Sequence, residues 1–171
     1  HEGKITGLAA HGTPRYVDIL KGMIDLCDGE IVNVGRVVFL GAIEEMQRRL
    51  PRDFDIADLA SSIQLHSEAI VVEYLRHWLR RSPHQAVALA GGLFANVLIN
   101  QRVHQIDGVE NVFVHPGMDD GGLAVGAALA LHQGSPPERC MDDVYLGPDY
   151  TETQIAEALN QSELPFSHEP S

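Results

Sequence analysis

Two groups of residues in the middle of the chain have the types and spacing for ligand chemistry. Gly91 and Gly92 follow a short apolar strand in the segment 86–103, and Asp119 and Asp120 follow another in the segment 112–131. Glycine has no β-carbon, so a flat or charged group can lie against the backbone at the start of the next helix. Carboxylates at a helix N-terminus stay ionised and offer hard oxygen ligands to a divalent cation. These residue types favour a site that binds a nucleotide beside a metal ion.

Both motifs are predicted strand-to-helix turns in consecutive βα units. Such units normally form neighbouring parallel strands, so both turns are expected to open on one cleft at the carboxyl ends of the strands. Taken alone, the glycine pair is explained as a tight turn and the acidic pair as a helix cap. Their occurrence in sequential units makes the ligand interpretation more specific.

His115 is the histidine with a place in this arrangement, because it ends the second predicted strand just before the acidic turn. A lone histidine without partners of suitable geometry is a weak ligand signal. His66 and His77 lie three turns apart on one predicted helix, about 16 Å, which is too far to share an ion.

Helical patterns surround the two turns. The longest spans 55–81, with Asp55 as its N-cap and Ser82-Pro83 after its end. Its apolar positions are Ile56, Leu59, Ala60, Ile63, Ile70, Val71, Tyr74, Leu75 and Trp78. A short helix is predicted from Pro14 to Leu26, ending at an Asp28-Gly29 turn, and another at 41–50, although the pattern of 30–54 does not decide between strand and helix.

After the acidic turn, the sequence predicts two helices joined by an extended connection. A helix over 121–133 contains Gly126, which predicts a close approach of another backbone or a ligand, and Gly134 should end this helix. An extended connection is predicted for 135–148. Thr151 and Gln154 form a capping box for a helix at 151–160, and a poorly ordered tail is expected after it.

Composition indicates an ordinary globular domain, with 44% hydrophobic and 21% charged residues. No long apolar run, signal peptide or lipidation motif is present in the sequence, so no membrane is expected and a cytoplasmic parent protein is predicted. Cys27 and Cys140 are interpreted as two free thiols. Residues 1–102 have a net charge of −1 and residues 103–171 of −11, which argues against nucleic acid as a partner.

Four segments resemble successive signatures of one enzyme family, the O-carbamoyltransferases of the nodulation-protein and cephamycin-biosynthesis type. They are HEGKITGLAAHG at 1–12, ALAGGLFANVLINQRV at 88–103, VFVHPGMDDGGLAVGAAL at 112–129 and VYLGPDY at 144–150. The resemblance extends to about Tyr150 and is weakest across 28–54.

The resemblance implies an α/β fold, the second lobe of an actin-like ATPase (ribonuclease H-like) domain, with a sheet and packed helices. Residues 1–150 would form the C-terminal lobe of this domain, and 151–171 would begin a linker or tail toward an adenylate-forming domain. The first lobe, with the family's metal-ligand histidines, would precede His1. The chain is therefore expected to supply one wall of the site and to be inactive by itself.

The resemblance also implies a reaction. ATP and carbamoyl phosphate would form a carbamoyl-adenylate, whose carbamoyl group passes to a small-molecule hydroxyl acceptor, with a divalent metal, iron in related enzymes. Gly91, Gly92 and Asn96 match the family's GGxxxN nucleotide segment, Asp120 matches a metal ligand, and Lys4 matches the lysine of an EGK motif assigned to the cofactor. His11 stands where the family has Tyr, and Met118-Asp119 replaces smaller residues.

Two alternatives stay open. One is a lobe of an actin-like sugar kinase or of an enzyme that makes threonylcarbamoyl-adenosine in tRNA, although the HEGKITGLAAHG start argues against both. The other is a non-catalytic nucleotide-binding module. The sequence lacks GxSxG, GxxxxGK[ST] and HExxH motifs, so a hydrolase triad, a P-loop and a zinc-protease site are unsupported.

Overall fold

The computed structural model describes residues 2–132, 143–145, 147–162 and 165–167. The chain divides into two compact units, residues 1–132 and 133–171. The helices are α1 Glu2–Ala9, α2 Val17–Lys21, α3 Leu40–Arg49, α4 Ile56–Leu79, α5 Val97–His104, α6 Gly122–Leu131 and α7 Glu152–Gln161; the strands are β1 Asp25–Cys27, β2 Glu30–Val32, β3 Ala86–Leu89 and β4 Asn111–Val114. The predicted α/β class is confirmed, whereas the actin-like lobe and the boundary at 150 stay predictions.

The long helix α4 organises the first unit. Asp55 caps it by accepting hydrogen bonds from the backbone N–H groups of Ala57 and Asp58, as the sequence predicts. Helices α1, α2 and α5 pack against it. A β-carbon on Gly12 would overlap the carbonyl of Ala57, so the glycine that ends the HEGKITGLAAHG segment permits a close approach to α4.

The predicted helix from Pro14 to Leu26 is wrong in its second half. Helix α2 ends at Lys21, and β1 pairs with β2 in an antiparallel hairpin. Asp28 and Gly29 have φ angles of 51° and 83°, and two consecutive left-handed residues suit a tight hairpin turn. The Trp78 Nε1–H donates to the Gly29 carbonyl over 3.1 Å and so ties this hairpin to α4.

Strands β3 and β4 form the predicted parallel pair, with Leu89 opposite Val114 at the carboxyl edge. The core lies against one face of this pair, where α4 and α5 cover the strands. Its buried side chains are Val71, Val87, Leu89, Ile99 and Val103. This core fixes the position of the two turns that leave the carboxyl ends of the strands.

The predicted apolar face of α4 is only partly correct. Leu59, Ala60 and Val71 are buried, but Ile56 is 65% exposed, and the polar side chains of Gln64 and Glu68 are buried. The middle of the helix meets α5 through hydrogen bonds between side chains rather than through apolar contacts alone.

Helices α3, α6 and α7 confirm the predictions for 41–50, 121–133 and 151–160 within a few residues. Thr151 and Gln154 make the predicted capping box. Gly134, Cys140 and most of the predicted connection at 135–148 and the tail lie outside the described residues, while Cys27 is an exposed free thiol. In the described ranges, none of the helices has the length and apolar content needed to cross a bilayer.

Candidate functional site

The two predicted turns meet at the carboxyl edge of the parallel strands. The Gly91 N–H donates to the Met118 carbonyl over 2.6 Å, which joins the first turn directly to the second. At the strand ends, the His115 N–H donates to the Leu89 carbonyl over 3.1 Å. The prediction of one shared cleft is therefore confirmed.

A pocket of about 370 Å³ opens between the turns, within the usual size range of small-ligand sites, about 300–1,000 Å³. Its lining combines glycine backbone, the acidic pair, His115 and apolar side chains of α6. The lining residues are Ala90, Gly91, Gly92, His115, Gly117, Met118, Asp119, Asp120, Gly122, Leu123, Val125, Gly126 and Leu129.

The first turn presents bare backbone to this pocket. Gly91 has a φ of 109°, a conformation that residues with a β-carbon rarely adopt, and a short 3-10 turn follows at Gly92–Ala95. Apart from the glycine itself, its chain neighbours and the backbone of its own turn, no described atom lies within 4 Å of the place where a β-carbon on Gly91 or Gly92 would stand. The surface that the sequence assigns to a nucleotide is therefore accessible, and the assignment itself stays a prediction.

Asn96 lies at the start of α5 and is not among the described residues that line the pocket. Its Oδ1 accepts hydrogen bonds from the N–H groups of Leu98 and Ile99, over 3.2 and 3.3 Å, so the side chain caps the helix. Its Nδ2 donates to Gln64 Oε1 over 2.7 Å. The second Nδ2 hydrogen has no acceptor among the described residues, and the predicted contact of Asn96 with a nucleotide stays a prediction.

The two carboxylates of the second turn have different environments. Asp119 Oδ1 accepts a hydrogen bond from the Gly121 N–H over 3.0 Å, which stabilises the turn before α6. In the part of the chain that the structure describes, the Asp120 carboxylate makes neither a hydrogen bond nor an ion pair, and Asp120 is one of the residues that line the pocket. Asp120 is therefore the carboxylate that is free to bind a cation.

The described residues bring no group of three His, Cys, Asp or Glu side chains together at metal-binding distance. Asp120 fits the role of a single oxygen ligand, and a complete set would need donors from outside this group of residues. His115 lies in the same pocket, packed edge-on against Phe113 with 6.5 Å between the ring centroids. Its predicted place in the cleft is confirmed.

Lys4 lies elsewhere. It lines a separate apolar groove among α1, α3 and α4, together with Ile5, Leu8, Met46 and Ile56. The structure does not bring Lys4 into the pocket that contains Gly91, Gly92 and Asp120. Its predicted contact with the cofactor stays a prediction that the geometry of this unit does not explain.

The second turn depends on glycine at position 122 and not at position 126. A β-carbon on Gly122 would overlap the Gly117 carbonyl, whereas outside α6 itself no described atom lies within 4 Å of one on Gly126. The close approach of another backbone predicted at Gly126 is therefore wrong for the described residues, while the alternative, a ligand, stays a prediction because Gly126 lines the pocket. We expect Gly122→Ala to destabilise the fold by about 1–3 kcal/mol through overpacking, and Gly126→Ala to stabilise α6 by about 0.5–1 kcal/mol. Chemical denaturation of both variants measures the difference, and equal effects would contradict it.

The fold and the pocket define a class: an α/β domain with a pocket at the carboxyl ends of adjacent parallel strands. Residues 1–129 match the sequence profile of the family described as Carbamoyltransferase N-terminus. The chain belongs to this carbamoyltransferase family, as its sequence motifs predict.

Two curated relatives are longer than this chain. Nodulation protein NolO of Bradyrhizobium diazoefficiens is 32% identical over 164 residues, which cover 91% of this chain and 30% of the relative. Nodulation protein NolNO of Sinorhizobium fredii is 33% identical over 157 residues, covering 86% of this chain and 23% of the relative. The chain spans less than a third of the length of either protein.

Proposed function

We propose that the protein containing this chain is an ATP-dependent O-carbamoyltransferase. It would hydrolyse carbamoyl phosphate to carbamate and phosphate, and the carbamate oxygen would displace pyrophosphate from ATP to give a carbamoyl-adenylate. The carbamoyl group would then pass to a hydroxyl of a small-molecule acceptor. The observation that carries this proposal is the pocket where the family's two signature turns meet, joined by the hydrogen bond from Gly91 to Met118. The family match across residues 1–129, which include both turns, supports the transfer reaction.

The first turn would hold the nucleotide part of the donor. The open surface over Gly91 and Gly92 lets a phosphate or a base approach the backbone more closely than side chains would allow. The turn leads into α5, whose N-terminal N–H groups favour negative charge. Two of these groups already bond to Asn96, so the backbone of the glycines themselves is the surface left for the ligand.

The second turn would hold the metal. Asp120 would donate a carboxylate oxygen, and Asp119 would keep the turn in shape through its bond to Gly121. A divalent cation, iron in the enzymes that the sequence resembles, would supply a Lewis acid for a carbonyl oxygen. His115 borders the same space and could donate a hydrogen bond to a ligand there.

The proposed transfer is a nucleophilic substitution at the carbamoyl carbon. The acceptor oxygen forms a bond to this carbon, and the bond from the carbon to the adenylate phosphate oxygen breaks. AMP leaves, and the hydroxyl proton goes to a base. The contribution of this chain would be to position the donor, because its pocket supplies backbone, carboxylate and imidazole groups rather than an activated nucleophile.

The test uses the full-length protein with ATP, carbamoyl phosphate and a panel of hydroxylated small molecules. We expect AMP, together with a product heavier than its acceptor by one carbamoyl group, both measured by mass spectrometry. ADP with a phosphorylated product would identify a kinase instead, and activity that requires tRNA would identify the threonylcarbamoyl-adenosine reaction. Binding of ATP without any turnover would favour a non-catalytic module.

A further inference from the structure

We propose that Gln64 and Glu68 of α4 are positioning residues for the first glycine turn. They act through two residues of α5, Asn96 and Arg102, and determine where Gly91-Gly92 presents its backbone to the pocket. The effect on a bound nucleotide rests on the proposed function. The effect on the turn rests on the hydrogen bonds that join α4 to α5.

Gln64 and Glu68 are buried polar side chains in the middle of α4, 9% and 8% exposed. Burial of such groups is unfavourable unless their hydrogen bonds are made. Both are satisfied here: Gln64 Nε2 donates to Glu68 Oε1 over 2.8 Å, and Glu68 Oε2 accepts from Arg102 Nε over 2.9 Å. The two residues therefore form one connected network that leads from α4 to α5.

The network reaches the turn through Asn96. Gln64 and Asn96 pair reciprocally, with Asn96 Nδ2 to Gln64 Oε1 at 2.7 Å and Gln64 Nε2 to Asn96 Oδ1 at 3.2 Å. The same Asn96 oxygen caps α5. Because Asn96 directly follows the 3-10 turn Gly92–Ala95, the orientation of its amide fixes where the turn ends and the helix begins.

Arg102 gives α5 a second attachment to α4. It lies six residues after Asn96, about 9 Å along the helix, and its side chain bonds to Glu68. Two polar attachments at separate points fix both the rotation and the axial position of α5 relative to α4. A helix held only by apolar contacts could shift by small amounts at little cost in free energy, because those contacts are not directional.

Apolar packing alone already holds α5 in the core, because Ile99 and Val103 are completely buried. The ion pair between Glu68 and Arg102 adds little to stability, because the Arg102 side chain is 56% exposed. A satisfied polar network can nevertheless specify one arrangement. At its other end the turn is held by the bonds from Gly91 N–H to Met118 and from Asn100 Nδ2 to the Phe94 carbonyl. The network completes this support and leaves the outer face of the glycines open.

The experiment compares Gln64→Ala with Leu59→Ala in the full-length protein. Leu59 is a buried residue of the same helix, but it lines the groove near α1 and takes no part in the network. For Gln64→Ala we expect faster hydrogen exchange at the amides of Leu98 and Ile99 and ATP affinity weaker by about tenfold. Leu59→Ala should lower the melting temperature at least as much while leaving ATP affinity unchanged. Glu68→Gln, which keeps the side-chain shape, replaces Gln64→Ala if that variant does not fold.

Exchange and calorimetry separate the possible outcomes. Unchanged exchange across 91–99 in the variant would overturn the proposal. Faster exchange with wild-type ATP affinity, or equal loss of affinity in Leu59→Ala, would overturn the role in ligand positioning. If the unmodified protein binds no ATP, the proposed function fails, while faster exchange in the variant would still support positioning of the turn.

Discussion

Replacing Gly92 with valine is expected to weaken ATP binding to the full-length protein by roughly 100-fold, or about 2.7 kcal/mol. The valine side chain would fill the space through which a nucleotide reaches the backbone of the first turn. Apart from Gly92, its chain neighbours and the backbone of its own turn, no described atom lies within 4 Å of a β-carbon at this position, so the fold itself should accommodate the substitution. Isothermal titration with ATP measures the loss, and thermal unfolding without ligand shows that the fold persists.

Position 92 gives a cleaner test than position 91. Gly91 has a φ of 109°, so any side chain there would strain the backbone, and lost binding would have two causes. At Gly92 only bulk changes, and Gly92→Ala serves as a graded control that should leave stability unchanged or raise it by about 0.4–1 kcal/mol. A Gly92→Val protein that binds ATP normally would show that the first turn has no contact with the nucleotide.

The arrangement of the two turns could be predicted from sequence because it follows from local rules. A short apolar strand, a glycine-bearing turn and a helix repeat within 30 residues, and consecutive βα units place their strands side by side. In the structure, the hydrogen bond from Gly91 to Met118 joins the two turns that this rule places side by side. The Asp55 cap and the capping box at Thr151 were predictable for the same reason, since each depends on residues within one helical turn.

The hairpin of β1 and β2 and the polar network between α4 and α5 could not be predicted from local sequence patterns. Val17, Leu20 and Ile24 have helical spacing, but the pairing of β1 with β2 and the bond from Trp78 to Gly29 depend on tertiary contacts. An Asp-Gly pair is a hairpin signal that could have corrected the helix prediction.

The sequence of α4 nevertheless indicates that such a network exists. Gln64 and Glu68 lie one turn apart between the apolar positions Ile63 and Ile70 of α4. Polar side chains that are buried in the middle of a helix require polar partners from a neighbouring element. Those partners, Asn96 and Arg102, lie more than 30 residues away in sequence. Periodicity within α4 could therefore indicate that partners exist but not which residues they are.

Gly126 shows a second reason why contacts could not be predicted from sequence. Glycine inside a helix predicts a close neighbour, yet α6 has no buried residue, and Leu123 is 72% exposed. The glycine that the fold requires is Gly122, because the Gly117 carbonyl lies against it. Sequence alone cannot distinguish these two positions, since the contact depends on how the chain turns between Gly117 and the first residue of the helix.

The second large effect is expected at Asp120. In the full-length protein, Asp120→Ala should abolish metal retention and carbamoyl transfer while changing the free energy of unfolding by less than about 0.5 kcal/mol. The reason is that Asp120 lines the pocket and that its carboxylate bonds to none of the described residues. Metal content after dialysis, measured by inductively coupled plasma mass spectrometry, gives the result directly.

Asp119→Ala is the matched control, because the adjacent Asp119 carboxylate stabilises the turn while Asp120 is the proposed metal ligand. Loss of the bond from the Gly121 N–H to Asp119 should destabilise the turn by about 0.5–2 kcal/mol while the metal is retained. The two variants thus predict opposite results: metal lost with the fold intact, and metal kept with a weaker fold. If Asp119→Ala released the metal and Asp120→Ala did not, the ligand would be the wrong aspartate. If neither released it, the acidic pair would serve only to begin α6.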